Sequence, residues 1–231
     1  MSREIVLDTE TTGLDPAGGD RVVEIGCVEL LNHIPTGQVW HHYFNPRRSM
    51  PKEAFDVHGL SDEFLADKPG FEELAEAFHT FIEGARLVIH NAAFDVGFLN
   101  AELSRVDLPS IDQRVVVDTL ALARRRHPGA MNSLDALCKR YGIDNAARTK
   151  HGALLDAELL ADVYIELIGG RQTNLTLMTG EADSAATASR AVLKSRPQPL
   201  PSRLSQAEQD AHAQALGSLG DAALWRKYQP G

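Results

Sequence analysis

Residues 4–13 read Glu-Ile-Val-Leu-Asp-Thr-Glu-Thr-Thr-Gly, a short apolar run followed directly by two carboxylates. The apolar run predicts a buried strand. Residues two apart on a strand point to the same side, so Asp8 and Glu10 are expected to project together from its end. Two carboxylates this close repel each other unless a cation lies between them. Taken alone, such a pair is more typical of a solvated strand end than of a metal site.

Outward from this strand, the apolar pattern alternates between strands and helices. Strand patterns cover 21–31 and 38–44, and the short turn-prone segment between them favours antiparallel neighbours. Further along the chain we predict a helix over 71–82, a strand at 86–90, a helix from Phe94, a strand at 115–117, a helix that Asn132 or Ser133 caps and Gly142 ends, and a last helix over 155–168. This order predicts an α/β domain.

Two more acids and a histidine lie where this pattern changes from one element to the next. Asp95 stands at a strand-to-helix junction, and Asp156 stands next to Leu155 at the start of the last helix. His151 precedes Asp156 by five residues, a rotation of about 140° on a continuous helix, so both can reach one site only if His151 lies in the loop or first turn before the helix. A lone loop histidine is more often a surface residue, and the residues alone leave that alternative open.

Three segments together resemble the three motifs of the DEDDh family of 3'-to-5' exonucleases. They are Asp8 to Gly13, His90 to Leu99 and His151 to Asp156, and the match spans residues 4–168 in order. Gly152 stands where the tyrosine type of the family would have Tyr, which favours the histidine type. The chain is most similar to members that proofread for bacterial replicative DNA polymerases. The resemblance implies a ribonuclease-H-like fold, a mixed five-stranded sheet flanked by helices, with a flexible C-terminal tail.

The resemblance also implies the chemistry of the site. It makes Asp8, Glu10, Asp95 and Asp156 the metal-binding carboxylates and His151 the general base. Hard oxygen ligands suit Mg2+ or Mn2+, and two such ions can stabilise both the attacking and the leaving oxygen of a phosphoryl displacement. The expected products are nucleoside monophosphates released from a 3' end.

Family members contact the terminal nucleotide through further residues. The implied substrate-binding set is Asp8, Glu10, Thr11, Glu53, His58 and Asp156. For Glu53 and His58 the alternative is a surface loop that precedes a helix cap at Ser61. Phe94 can stack on a base or pack in the core, and we expect it to pack.

Beyond an exonuclease domain at 1–170, the sequence predicts three segments. Residues 171–178 resemble a motif that docks on the sliding clamp through Gln172, Leu175 and Leu177, although so short a pattern is also typical of a plain loop or strand. Residues 179–204 are poor in large apolar groups and predict a flexible linker. Residues 205–231 begin with a capping-box pattern and carry Leu224 and Trp225, which resemble the end of a polymerase-binding tail.

Composition and charge limit the class of protein. Hydrophobic residues make up 43% of the 231 residues, enough for a core, and no run approaches the roughly 18 apolar residues of a membrane span. Without a signal-peptide pattern at the N-terminus, the expected location is the cytoplasm. Cys27 and Cys138 stand in apolar segments and are predicted to be buried thiols.

The net charge of −9 bears on the partners. Seven Lys/Arg and five Asp/Glu in residues 171–231 give +2, which leaves −11 on residues 1–170. So acidic a domain cannot hold DNA by general electrostatics, because non-specific affinity comes from Lys and Arg. The expected substrate is a single-stranded or frayed 3' end of DNA, brought close by the alpha subunit of the replicative polymerase and by the sliding clamp. A third core subunit is a further candidate partner.

Two other functions remain open from the sequence. One is an exoribonuclease of the same family, which would have no need of the C-terminal tail. The other is an adaptor that joins polymerase and clamp and whose catalysis is dispensable. Measurements of nuclease activity and of polymerase binding would together separate the proofreading exonuclease, the exoribonuclease and the adaptor.

Overall fold

The structure of the chain, a computed structural model, describes residues 2–146, 148, 150–169 and 204–219. Its strands are β1 (Arg3–Thr11), β2 (Val22–Leu31), β3 (Ile34–Tyr43), β4 (Arg86–Ile89) and β5 (Val116–Asp118). Its helices are α1 (Lys52–His58), α2 (Asp62–Leu65), α3 (Phe71–Ile82), α4 (Ala93–Ser104), α5 (Thr119–Arg126), α6 (Leu134–Tyr141), α7 (Ala153–Leu167) and α8 (Gln206–Leu219).

The five strands form one mixed sheet in the order β3-β2-β1-β4-β5. The pairs β1–β2 and β2–β3 are antiparallel, whereas β1–β4 and β4–β5 are parallel. The parallel strands need crossover connections, and α4 supplies the one between β4 and β5. The predicted mixed five-stranded sheet flanked by helices is confirmed.

Helices cover both faces of the sheet, and the central strand β1 is buried on both sides. Its Ile5 and Leu7 pack on one face with α3 and α4. Val6 points to the opposite face and packs with side chains of α5, α6 and α7. This alternation follows from the two-residue period of a strand. It also sends Asp8 and Glu10 to the α7 side at the strand's carboxyl end.

Helix α7 lies unusually close to the sheet at Gly26. In the β1–β2 register Gly26 is the partner of Asp8. A Cβ atom at Gly26 would lie only 2.3 Å from the backbone carbon of Ala153 and from the backbone nitrogen of Leu154. Only glycine allows so close an approach. The first turn of α7 is therefore seated directly beside the end of β1.

Several local predictions are confirmed. Ser133 caps α6 by accepting from the backbone N–H of Ala136 at 3.3 Å, and Gly142 ends that helix at φ +68°. Ser61 caps α2. Both cysteines are buried.

The predicted start of β3 is wrong, and two helices were missed. β3 begins at Ile34 rather than at residue 38, because Asn32 and His33 alone form the turn, with φ of +50° and +67°. Positive φ at both central residues gives the tight hairpin turn that fits the twist of the strands. Helices α1 and α5 were not predicted, and α1 occupies the segment expected to be a loop.

The chain divides into two compact units, residues 1–176 and 177–231. The second unit contains α8, whose start confirms the predicted capping box, since the Ser205 N–H donates to Glu208 Oε2 at 2.8 Å and the Glu208 N–H donates to Ser205 Oγ at 3.3 Å. No helix among the described residues is both long and apolar enough to cross a membrane. The predicted domain end at Gly170, the docking segment 171–178, linker residues 179–203 and tail residues 220–231 lie outside the described residues.

Candidate active site

The five side chains predicted to carry the chemistry line one cleft. Asp8 and Glu10 come from the end of β1, Asp95 from the first turn of α4, and Asp156 from the first turn of α7. His151 lies in the loop before α7, where the sequence required it. β1 and β4 are parallel, so the connection after β4 starts at the same edge of the sheet as the end of β1. The cleft has a volume of about 940 Å³.

The carboxylates form the floor of this cleft and the imidazole its rim. One ligand atom each from Glu10, His151 and Asp156 lies within 4.8 Å of the others. Asp95 is tied to β1, because Oγ1 of Thr9 donates to its Oδ1 at 2.7 Å. Asp95 and Asp156 are each only 3% exposed, whereas the His151 side chain is 48% exposed.

This concentration of acids perturbs their protonation. Loss of hydration raises the pKa of Glu10 to about 8, helped by the neighbouring charge of Glu24. Loss of hydration also raises the pKa of Asp95 to about 7, against the opposing bond from Thr9. The pKa of Asp8 is raised well above its ordinary value by the same loss of hydration and then by nearby carboxylates, Asp95 first. The floor of the cleft therefore favours bound cations or protons over free carboxylates.

One positive side chain, Arg148, already reaches into this group. Its Nε donates to Asp156 Oδ1 at 2.5 Å, and its Nη2 donates to Asp156 Oδ2 at 2.8 Å. Its Nη1 donates to Asp135 Oδ1 at 2.8 Å, and Nη2 also lies 2.8 Å from Nδ1 of His151. A guanidinium only donates, so Nδ1 is the acceptor and the proton of the neutral ring belongs on Nε2. These bonds raise the pKa of Arg148.

The walls of the cleft come from β4, α4, α5 and the segment before α6. His90 stands on one wall, where its Nδ1 lies 2.9 Å from Oγ1 of Thr119. Phe94 borders the cleft but packs on Phe98 with ring centroids 4.9 Å apart, as expected. Arg124 of α5 adds a second positive side chain on the His90 side.

The remaining predicted substrate residues do not line this cleft. Thr11 is buried and donates its hydroxyl to the carbonyl oxygen of Gly13 at 2.6 Å. Glu53 is exposed on α1. His58 is buried, and its Nδ1 accepts from the backbone N–H of Leu60 at 3.0 Å. Their contacts with substrate stay predictions, as do those of Gln172, Leu175, Leu177, Leu224 and Trp225, which lie outside the described residues.

Sequence reasoning missed Arg148 and Gly26. The segment around Arg148 is Ala-Ala-Arg-Thr-Lys, which is typical of a solvent-exposed loop, and nothing in it indicates an ion pair with Asp156. Gly26 stands inside a strand pattern, where an isolated glycine can indicate close approach of another backbone. That signal was available and was not used.

Comparison with known proteins gives consistent matches. A family model described as exonuclease matches residues 5–164. The DNA polymerase III subunit epsilon of Rickettsia conorii is 52% identical over 183 residues, 78% of this chain and 80% of the relative. The protein of the same name from Salmonella typhimurium is 46% identical over 244 aligned positions, 98% of both chains. A solved structure of Exonuclease X in complex with 5' overhanging duplex DNA matches with a TM-score of 0.56 and 29% identity, over 74% of this chain and 92% of that one.

Proposed function

Because this chain belongs to the exonuclease family, we propose that it is the proofreading 3'-to-5' exonuclease of DNA polymerase III and removes misinserted nucleotides from the 3' end of DNA. One observation carries the proposal. Four carboxylates from three separate parts of the chain and one histidine meet in a single cleft. The names of the relatives point to DNA polymerase III as the partner, and the residues of the cleft give a chemical reason for exonuclease activity.

The donors in the cleft fit divalent metal ions. Carboxylate oxygens are the ligands that Mg2+ and Mn2+ prefer, and ligand atoms of Glu10, His151 and Asp156 already lie within 4.8 Å of one another. The raised pKa values of Asp8, Glu10 and Asp95 give a second reason, because a bound cation would relieve their repulsion. We assign Asp8, Glu10, Asp95 and Asp156 to two ions. When bound, such ions polarise the phosphate and stabilise the attacking and leaving oxygens.

His151 is assigned the proton transfer. It stands at the rim, exposed enough to meet water, and its Nδ1 is 3.4 Å from Oδ2 of Asp156. An imidazole can take a proton from water near neutral pH, and the adjacent carboxylate would stabilise the cation so formed. The proton then leaves to solvent, because almost half of the side chain is exposed.

The buried hydrogen bond from Thr9 to Asp95 has a positioning role. Oγ1 of Thr9 holds Oδ1 of Asp95 at 2.7 Å, and Thr9 lies between Asp8 and Glu10 in sequence. The bond therefore joins the α4 carboxylate to the strand that carries the other two. We keep Thr11, Glu53 and His58 as proposed contacts to the terminal nucleotide.

The charge of the chain supports tethered action. A protein of net charge −9 gains little from general attraction to phosphates. Binding to a polymerase that already holds the primer would supply DNA at high effective concentration. We propose docking on the polymerase III alpha subunit through Leu224 and Trp225 and on the sliding clamp through Gln172, Leu175 and Leu177, in the cytoplasm, with a third core subunit as a further candidate.

The direct test is hydrolysis of matched and mismatched DNA primer termini by the full chain, with Mg2+ and with EDTA. We expect release of nucleoside monophosphates that needs the metal, and loss of at least about 1,000-fold in Asp8→Ala and Asp156→Ala with the fold retained. Glu158→Ala is the matched control, since Glu158 is an exposed acid on the same helix. Near-normal release by Asp156→Ala would overturn the assignment.

His151→Ala separates proton transfer from binding. We expect turnover to fall by about 100-fold or more while DNA binding is kept. An RNA primer in parallel tests the exoribonuclease alternative, because faster release from RNA would favour it. Absence of any metal-dependent hydrolysis, with polymerase binding kept, would favour the adaptor.

A further inference from the structure

Arg148 occupies the atoms on which the proposed chemistry depends. Both carboxylate oxygens of Asp156 accept from its guanidinium, at 2.5 and 2.8 Å. The Nδ1 lone pair of His151 faces the same guanidinium nitrogen at 2.8 Å. The Arg148 side chain is only 8% exposed, so little water competes for these bonds. In this arrangement Asp156 is neutralised and one nitrogen of His151 is engaged.

A divalent ion on Asp156 would compete with these bonds for the charge of the carboxylate. Each oxygen of Asp156 already accepts from one N–H group of Arg148, and two cations that share one carboxylate repel each other. We therefore expect a metal ion on Asp156 to weaken or displace part of this ion pair. Release of its Nη2 also frees Nδ1 of His151 to accept a proton.

Asp135 gives the guanidinium a second partner. It lies in the first turn of α6 and accepts from Nη1 at 2.8 Å. It also accepts from Nδ2 of Asn145 at 3.0 Å, which fixes its position. Asp135 is 59% exposed, so Arg148 can keep this partner at the wall of the cleft after leaving Asp156. A planar fork with several donors suits such a bridge better than the single ammonium of Lys.

We propose that Arg148 is an internal counter-ion of the metal site, which holds Asp156 and His151 in the metal-free protein and competes with the divalent cation for Asp156. The proposal rests on the proposed function, since it takes the four carboxylates as the metal site. In the metal-free protein, this contact compensates the buried charge of Asp156 and keeps Nδ1 of His151 engaged. Binding of the metal ion to Asp156 is then coupled to release of Nδ1 of His151 from Arg148.

The test is titration of the metal-stripped full chain with Mn2+ by calorimetry, compared between wild type and Arg148→Gln. We expect Arg148→Gln to bind Mn2+ about tenfold tighter or more, the factor that corresponds to one charge-assisted hydrogen-bonded pair. Its unfolding temperature in EDTA should fall, because Asp156 is left buried without its partner. The rise in unfolding temperature on adding Mn2+ should be larger than in wild type.

Arg124→Gln is the matched control, since it removes the same unit charge from the other side of the same cleft. We expect its Mn2+ affinity to stay within about threefold of wild type, because charges at longer range are screened. Arg148→Lys keeps the charge but not the fork, and it should show a smaller gain; it also serves if Arg148→Gln unfolds in EDTA.

Equal or weaker Mn2+ binding by Arg148→Gln would overturn the proposal and make Arg148 a support for the metal ligands. An equal gain in Arg124→Gln would likewise overturn it, because general charge rather than competition for Asp156 would be the cause. Wild type that binds no Mn2+ would instead refute the proposed metal site itself. The two failures are therefore distinguishable.

Discussion

Gly26→Ala should displace Asp156 relative to the other three carboxylates of the cleft without changing any proposed metal ligand. Gly26 pairs with Asp8 across the β1–β2 ladder and faces the first turn of α7. A Cβ there would lie 2.3 Å from the backbone of Ala153 and Leu154, whereas ordinary contact begins at 3.4 Å. Backbone cannot rotate aside as a side chain can, so α7 has to retreat by about 1 Å. Asp156 moves with it.

Two magnitudes follow from this displacement. Forcing one methyl group into a packed contact costs about 1–3 kcal/mol of stability, offset in part by the roughly 0.5–1 kcal/mol that replacing a strand glycine returns. A displacement of about 1 Å at a reacting centre can cost about 100-fold in rate. We therefore expect a modest fall in unfolding free energy and a large fall in kcat/KM for nucleotide release.

The assay is single-nucleotide release from a mismatched primer in Mg2+, with urea unfolding of the same samples. Gly97→Ala is the matched control, since Gly97 lies in α4 two residues after Asp95 and a Cβ there meets no atom within 4 Å. It should keep wild-type activity and gain about 0.5–1 kcal/mol of stability, because alanine favours a helix over glycine. Activity of Gly26→Ala within about threefold of wild type would refute the reasoning.

Two further predictions concern buried acids. Loss of hydration raises the pKa of Glu10 from 4.5 to about 8, so between those values the folded metal-free protein binds more protons than the unfolded chain and its stability falls as pH rises. Glu10→Gln should therefore stabilise the protein in EDTA by more than about 1 kcal/mol at pH 8 and little at pH 5, measured by urea unfolding; equal effects at both pH values would contradict this. Tyr164→Phe removes the hydroxyl that donates to Oε1 of buried Glu4 at 2.8 Å, and it should cost about 1–3 kcal/mol. Nucleotide release at 25 °C should stay unchanged, since Glu4 lies at the opposite end of β1 from Glu10; a large loss of activity would refute that separation.

The sheet could be predicted because its strands carry their own pattern. The apolar run before Asp8 predicted β1. The alternation of strand and helix patterns further along the chain predicted β4, β5, α4 and α7. The predicted start of β3 lay too far along the chain, because Pro35 and Gly37 are typical of turns. β3 is an edge strand, and an edge position tolerates both.

Helix α5 was missed for a different reason. It spans only Thr119–Arg126, and its apolar periodicity is too short to indicate a helix. What starts it is Asp118, which accepts from the backbone N–H groups of Leu120 and Ala121. A cap at the end of a three-residue strand is hard to recognise before the strand itself is placed.

The composition of the site was predictable, but its internal contacts were not. The three motifs place the carboxylates and His151, because each acid follows or opens an element that the pattern reveals. The ion pair of Arg148 joins residues eight apart across a loop. The approach of α7 to Gly26 joins residues 127 apart or more. Such contacts are set by tertiary packing and leave no periodic trace in the chain; only the isolated strand glycine at Gly26 gave a local indication of one.

The most direct measurement is X-ray diffraction from crystals of the chain grown with Mn2+, using the anomalous signal of the metal to locate it. We expect two peaks about 3.5–4 Å apart, ligated by Asp8, Glu10, Asp95 and Asp156, with His151 beside them. Peaks at other surfaces, or a cleft whose carboxylates touch no metal at saturating Mn2+, would contradict it.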